Sequence, residues 1–324
     1  MLETLNFVKG AIARKDFVPT LNHYSIMDNV IQGSNGVVTI SSPISIDFKA
    51  SPKATVFHKA IEACDGVTSL TLTKTKRISV RSENFTALVE CIDKEIPHYF
   101  PSGEKVRLSD DFLDNVRLLA PFMAEDASRP WANGINFDGR NAYATNNVIL
   151  VNVWMGEPFS KKITIPKMAV KELLRINELP THYSIGEKEA CFYYTGGRWL
   201  RTSLLEKSWP NVKELLNGAT KVCKKSKFLD CDQIIGVLQR LKPFTDDCGT
   251  VYFKNGLIST HGSTKEGAYF ETEYKEERGL YNLDQLITVC AKAKTLCLTT
   301  HPKPSPFYGD KLRGVVIGMR DGKV

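Results

Sequence analysis

The chain has 324 residues, is 42% hydrophobic and 24% charged, and carries a formal net charge of +7. That length exceeds one typical domain and points to two or three, and the balance excludes a disordered or fibrous polymer. No run approaches the roughly 18 apolar residues of a membrane span.

Taken in order, Leu2–Ala13 is amphipathic, with Leu5, Val8 and Ile12 apolar. Strand-like runs follow at His23–Met27 and Val37–Ile40, joined through Gly33-Ser34-Asn35-Gly36. Val56–Cys64 reads as a helix that Gly66 ends, followed by strands at Ser69–Thr73, Arg77–Arg81 and Phe85–Cys91. Pro101–Lys105 reads as a linker. Ser109 caps a helix over Asp110–Met123, with Asp110 and Asp111 in the favoured first turn. Gly134–Phe137 and Ala142–Val153 form the next strands, around the turn Asp138-Gly139-Arg140-Asn141.

Met168, Val170, Leu173 and Leu174 make an apolar helical stripe, while Lys167, Lys171 and Arg175 stack three cations on another. A meander follows at Tyr183–Ile185, Ala190–Thr195 and Trp199–Leu205, with Gly196-Gly197 as a hairpin turn. Asn217–Lys227 reads as a solvated basic linker. Asp232–Phe244 is a helix carrying Ile234, Ile235, Leu238 and Leu241, followed by strands at Thr250–Phe253 and Leu257–Thr260. Asn282 caps a last helix through Cys290, before strands at Thr295–Thr299 and Gly314–Met319.

The pattern is six helix-plus-strands units. Paired, they predict an α+β protein of three repeated domains: 1–105, 106–221 and 222–324. These segments carry net charges of +1, +2 and +4, so the basic excess is spread along the chain. A spread excess is compatible with nucleic acid without requiring it.

Eight cysteines, at 64, 91, 191, 223, 231, 248, 290 and 297, form no CxxC, so no zinc site is expected. Most sit in apolar runs, which fits reduced thiols in a reducing cytosol. Met1–Lys15 mixes Glu3, Lys9, Arg14 and Lys15 with its apolar residues, so no secretory leader and a cytoplasmic location are expected. The six histidines show no HExxH spacing and no GxSxG occurs. A hydrolase with a spatial Cys/His site is the weaker alternative. No cofactor or metal is expected.

Ser128–Ile135, Asn141–Leu150, Ile165–Leu174, Leu204–Val212 and Val315–Arg320 together resemble the bacterial DNA polymerase III β-type sliding clamp. Ser128-Arg129-Pro130-Trp131-Ala132-Asn133-Gly134-Ile135 is similar to the family's TRPILNGV segment, and Asn141–Leu150 to its AVATDGHRLA strand and turn. Ile165–Leu174 is similar to VPRKALKELL, Leu204–Val212 to LIEGEFPDY, and Val315–Arg320 to the terminal VVMPMRL. The order and spacing of these stretches carry the resemblance, and the shorter, diverged chain suggests a phage-encoded member.

The resemblance implies a non-enzymatic processivity factor in DNA replication. Two subunits would close head-to-tail as a homodimer ring with helices inside and sheets outside, around double-stranded DNA held without sequence readout. The cations implied at the DNA are Lys9, Arg14, Lys15, Lys53, Lys59, Arg117, Lys167, Lys171, Arg175, Arg240, Lys242, Lys292 and Lys294. It also implies a hydrophobic cleft between the second and third domains for short peptides of the polymerase and clamp loader. Its residues would be Thr145, Asn147, Val148, Ile149, Leu150, Pro210, Val315, Val316, Ile317, Gly318, Met319 and Arg320. Two departures stand out: Asn147-Val148-Ile149 where the family has Gly-His-Arg, and Gly318 where it has proline. They predict a cleft with its own partner preference. A monomeric clamp-fold scaffold is the other alternative.

Overall fold

The computed structural model describes residues 1–13, 18–66, 68–126, 128–220, 228–254, 256–261, 266–273 and 279–320. Within these the chain is α+β, with seven α-helices, twenty-two strands and only antiparallel pairing in the registers described below. It packs as two compact units, Met1–Leu113 with Ile165–Glu206, and Asp114–Thr164 with Lys207–Val324. The middle of the sequence is therefore divided between both.

The first unit is built on a seven-stranded sheet. Its order is β1 (Ser25–Met27), β2 (Val30–Ser34), β3 (Val38–Pro43), β14 (Trp199–Ser203), β13 (Glu189–Tyr193), β12 (His182–Ile185) and β7 (Val106–Arg107). The seam is β3 against β14, with Leu200 opposite Ile40 and Thr202 opposite Val38. Helix α1 (Leu2–Val8) buries Leu5, Phe7 and Val8. Helix α4 (Lys167–Ile176) buries Ala169, Val170 and Leu173, and ends where Asn177 turns left-handed at φ 56°. With α2 (Ala54–Glu62) and a three-stranded sheet of β4 (Ser69–Leu72), β5 (Arg77–Ser82) and β6 (Phe85–Glu90), these complete the unit.

The second unit carries an eight-stranded sheet. Its order is β11 (Ile163–Pro166), β8 (Gly134–Asp138), β9 (Asn141–Thr145), β10 (Ile149–Trp154), β22 (Leu312–Val316), β21 (Ser305–Tyr308), β20 (Thr295–Leu296) and β15 (Leu229–Asp230). Its seam is β10 against β22, with Leu150 opposite Val315 and Ile149 opposite Val316. A four-stranded sheet runs β18 (Tyr269–Glu271), β17 (Leu257–Ser259), β16 (Thr250–Lys254) and β19 (Gly279–Asn282). The helices are α3 (Phe112–Leu119, whose first two residues belong to the other unit), α5 (Val212–Thr220), α6 (Cys231–Leu241) and α7 (Leu283–Cys290). Asn282 caps α7 as expected, its Oδ1 accepting from the Gln285 N–H at 3.1 Å.

Three expectations need correction. Asn217–Lys227 is not a linker throughout: Asn217–Thr220 completes α5, and 221–227 lie outside the described residues. Ala142–Val153 is not one strand but two, because Asn146 folds back and its Oδ1 accepts from the N–H groups of Val148 (3.1 Å) and Ile149 (2.8 Å). That Asx turn outcompetes the ladder locally. Six cysteines, 64, 91, 191, 231, 248 and 290, are free, but Cys297 is disulfide-bonded, against the expectation of reduced thiols. Cys223 lies outside the described residues.

Candidate peptide groove and cationic helix faces

The residues expected at the peptide cleft lie on three neighbouring strands and turns of the second unit. Leu150 (7% exposed) and Val315 (2%) face each other across the seam and form one apolar cluster with Tyr143, Trp209, Val212 and Leu216. Trp131 and Ala219 pack on it partly buried. Thr145 shares this face, opposite Leu150, but is buried and spends its hydroxyl on the Ile149 carbonyl at 2.7 Å. Side chains alternate along a strand, so Ile149 and Val316 point to the opposite face, where both are fully buried. Those two are core residues and correct the expectation that they line a groove.

The rim is exposed. Val148 and Ile317 are linked by the Ile317 N–H donating to the Val148 carbonyl at 2.9 Å, and they are 36% and 46% exposed. Asn147 adopts a left-handed turn at φ 74°, and its side chain joins Asp126 to Arg129. Pro210 is exposed just before α5. Beyond Ile317 the chain is sewn down. The Met319 N–H donates to the Leu280 carbonyl at 2.8 Å, and His301 Nε2 donates to the Met319 carbonyl at 2.9 Å. A Cβ on Gly318 would lie 2.4 Å from His301 Cδ2, so this position accepts only glycine while the imidazole stays there. Arg320 ends the described chain and is exposed.

The expected DNA-facing cations divide by what holds them. In the first unit Lys9, Lys59 and Arg175 converge on a cavity of ≈ 520 Å³ that also presents His58, Glu62 and Glu172. Burial, then the Lys9 charge, pushes the His58 imidazole below its ordinary value, against the opposing pull of Glu62. Arg175 is also tied to its own unit. Its guanidinium donates to the carbonyls of Asn6 (2.9 Å) and Phe7 (2.7 Å) and to Glu172 (2.6 Å). It closes the C-terminus of α1, where orphan carbonyls and the helix dipole favour a cation, and is a structural residue. Lys53 and Lys59 stand exposed at the start and along α2, and Lys171 is exposed on α4, which Lys167 begins.

In the second unit Arg117 is bridged to Asp114, Lys242 to Asp284 (2.7 Å) and Lys294 to Asp310 (2.5 Å). Arg240 on α6 and Lys292 after α7 are exposed. Arg14 and Lys15 lie outside the described residues. Among the described residues no cluster of His, Cys, Asp or Glu is placed to hold a metal ion, and no helix is long and apolar enough to cross a membrane.

No family model and no curated protein sequence matches the chain. Solved structures do. A putative DNA polymerase III beta subunit from Eubacterium rectale superposes with a TM-score of 0.83 at 11% identity, over 99% of this chain and 97% of its own. The Bacillus subtilis DNA polymerase sliding clamp gives 0.83 at 15%, and the Bartonella birtlesii sliding clamp bound to griselimycin 0.80 at 15%, each with the same coverage. The chain has the sliding-clamp fold.

The apolar cluster at the β10–β22 seam also takes in residues that are not among the cleft residues the resemblance implies. These are Trp131 and Trp209, which stand within stretches that carry the resemblance, and Val212 and Leu216 on α5, a helix not among the expected elements, which also bears the 51%-exposed Leu215. The signal was present: Val212, Leu215, Leu216 and Ala219 stand at i, i+3, i+4 and i+7.

Proposed function

We propose that this chain is a non-enzymatic DNA sliding clamp, a processivity factor that encircles double-stranded DNA and tethers replication proteins through the groove beside the β10–β22 seam. The observation that carries this reading is the sliding-clamp fold over 99% of the chain. On this reading 1–105, 106–221 and 222–324 are three consecutive repeats whose sheets fuse at the β3–β14 and β10–β22 seams. Exposed Lys53, Lys59, Lys171, Arg240 and Lys292 hold phosphates without reading sequence.

Ring closure by two copies, head to tail, is supported by two open sheet edges. Edge strand β4 presents Leu72 (41% exposed) beside Lys74 and Lys76, and edge strand β18 presents Tyr269 (46%) beside Glu271 and Glu273. Unpaired edges invite a partner strand, and opposite charge makes a heterologous pairing the favoured one. The polymerase and the clamp loader are the partners that the groove would take, each through a short peptide.

The test combines mass with topology. Light scattering should give about twice 36.3 kDa, and nicked circular DNA should retain the loaded protein until the circle is linearised. A monomer that leaves circular and linear DNA equally fast would replace the ring with a face-binding scaffold.

A further inference from the structure

The groove contains a donor that the free protein does not use. Trp209 is 7% exposed, and its indole Nε1 is buried with no hydrogen-bond partner. Of its neighbours in the cluster, Leu150, Val212, Leu216 and Val315 are hydrocarbon, and the hydroxyl of the fifth, Tyr143, is not its partner. An unmade buried N–H costs free energy comparable to the bond it lacks. A ligand that brings an acceptor to that point therefore recovers what the empty groove forgoes.

A second observation concerns what packs on the Trp209 ring. The Trp131 ring stands edge-on to Trp209, with centroids 5.1 Å apart and planes at 69°. Trp131 is only partly buried. It sits on a short 3-10 turn, Pro130–Ala132, outside every helix and strand that forms the sheet and its layers. Displacing it breaks no ladder. On the turn before β10, just past β22 and on α5, Val148, Ile317 and Leu215 leave apolar side chains in water at 36%, 46% and 51% exposure. Such a rim gains by apolar burial.

We propose that Trp209 is the specificity donor of this groove and Trp131 its movable cover. The occupant is an extended, apolar peptide segment. Its side chains bury Val148, Ile317 and Leu215, its entry pushes the Trp131 ring aside, and one of its carbonyl oxygens accepts from Trp209 Nε1. A segment of the same shape with no acceptor at that position leaves the indole unsatisfied and binds less tightly, which makes the hydrogen bond a selectivity element. This inference rests on the reading of the groove as a peptide site.

The probe is griselimycin, the compound carried by the Bartonella birtlesii clamp, titrated onto the full chain by calorimetry. Trp209→Phe keeps an aromatic ring and removes the N–H. It should weaken binding about tenfold, the scale of one such bond, and should not lower the melting temperature. Trp131→Ala should bind as tightly as the parent or more so. In NMR of the unaltered protein, which has four tryptophans, the indole N–H signal that Trp209→Phe deletes should move downfield on binding. That measurement stands even if the variant folds poorly.

Equal binding by parent and Trp209→Phe, or an unmoved indole signal in the saturated complex, overturns the donor role while the groove remains. A tenfold loss in Trp131→Ala overturns the cover. No binding to the unaltered protein overturns the groove reading, and this inference with it.

Discussion

Each compact unit has a seam where strands distant in sequence meet, and the two seams are finished differently. In the first unit the β3–β14 seam is flanked by polar closures. Glu189 accepts from Arg201 Nε and Ser102 Oγ, both at 2.6 Å, and Arg201 lies 4.7 Å over the Tyr99 ring. Gln32 and the Tyr99 backbone exchange two hydrogen bonds at 2.8 and 2.9 Å. Tyr99 also packs on Cys191, Tyr193 and Trp199, where burial pushes the Cys191 thiol up to about 12. In the second unit the β10–β22 seam is flanked by α5 and two tryptophans, with an unused N–H inside and exposed Val148, Leu215 and Ile317 at the rim. One architecture therefore yields two joints of different character, according to the side chains that finish it. The first seam is bordered by several paired polar groups, although His98 and Tyr194 of the same unit leave buried polar atoms unpartnered; the second leaves large apolar side chains in water.

The most severe way to break this comparison is at the seams. Leu200→Ala and Leu150→Ala remove side chains that are 0% and 7% exposed and should each cost about 2–5 kcal/mol in denaturant unfolding. On the proposed reading of the second seam as a peptide site, only Leu150→Ala should also abolish griselimycin binding. Loss of binding in Leu200→Ala would show that the seams do not act separately.

Next is Glu189→Gln, whose carboxylate is 18% exposed. The change should cost about 1–3 kcal/mol by weakening charge-assisted bonds in a half-closed site. It should also alter the acid response. Burial raises the Glu189 value, but the bonds from Ser102 and Arg201 outweigh it and hold the carboxyl below its ordinary range. A depressed folded value means that its stabilisation is complete above about pH 4.3, the unfolded value, and is lost as pH falls through the folded one. Acid titration of Glu189→Gln should lack that component.

Ile317→Asp sharpens the other side. At an exposed position the stability change should stay within about 0.5 kcal/mol, while griselimycin affinity should fall about tenfold or more, since a carboxylate at the rim must be desolvated. Unchanged affinity would move the groove away from Ile317.

The smallest effect is expected at His98, beside the first seam. Neither ring nitrogen has a partner, and burial is the main cause that lowers its value, with Asp28 opposing and Lys49 assisting. Its contribution is present above about pH 6.5 and lost as pH drops through the lowered folded value. His98→Phe should flatten thermal stability across that interval by a fraction of a kcal/mol.

Much of the local structure was legible. The apolar stripe of α4, the Asn282 cap and the hairpin at Leu257 follow from spacing and turn chemistry that act within a few residues. The pairing of β10 with β22 did not follow. The resemblance names both Val148 and Val315 at a cleft, but the strand alternation that leaves one exposed and the other buried depends on which face the seam turns to α5. Arg175 shows the same limit. Its place in a stripe with Lys167 and Lys171 suggested a phosphate contact, but its guanidinium reaches a helix end 169 positions away in sequence.

The amino-acid order alone determined where helices start, which residues turn, and which strands have one apolar face, because these depend on dihedral preference and side-chain period over short distances. The tertiary structure alone decided which strands meet and which apolar residues remain uncovered. Arg313 meets Asn152 from 161 positions away, and a joint of that span is set by collective burial across the whole sheet, a quantity that no single stretch of chain contains.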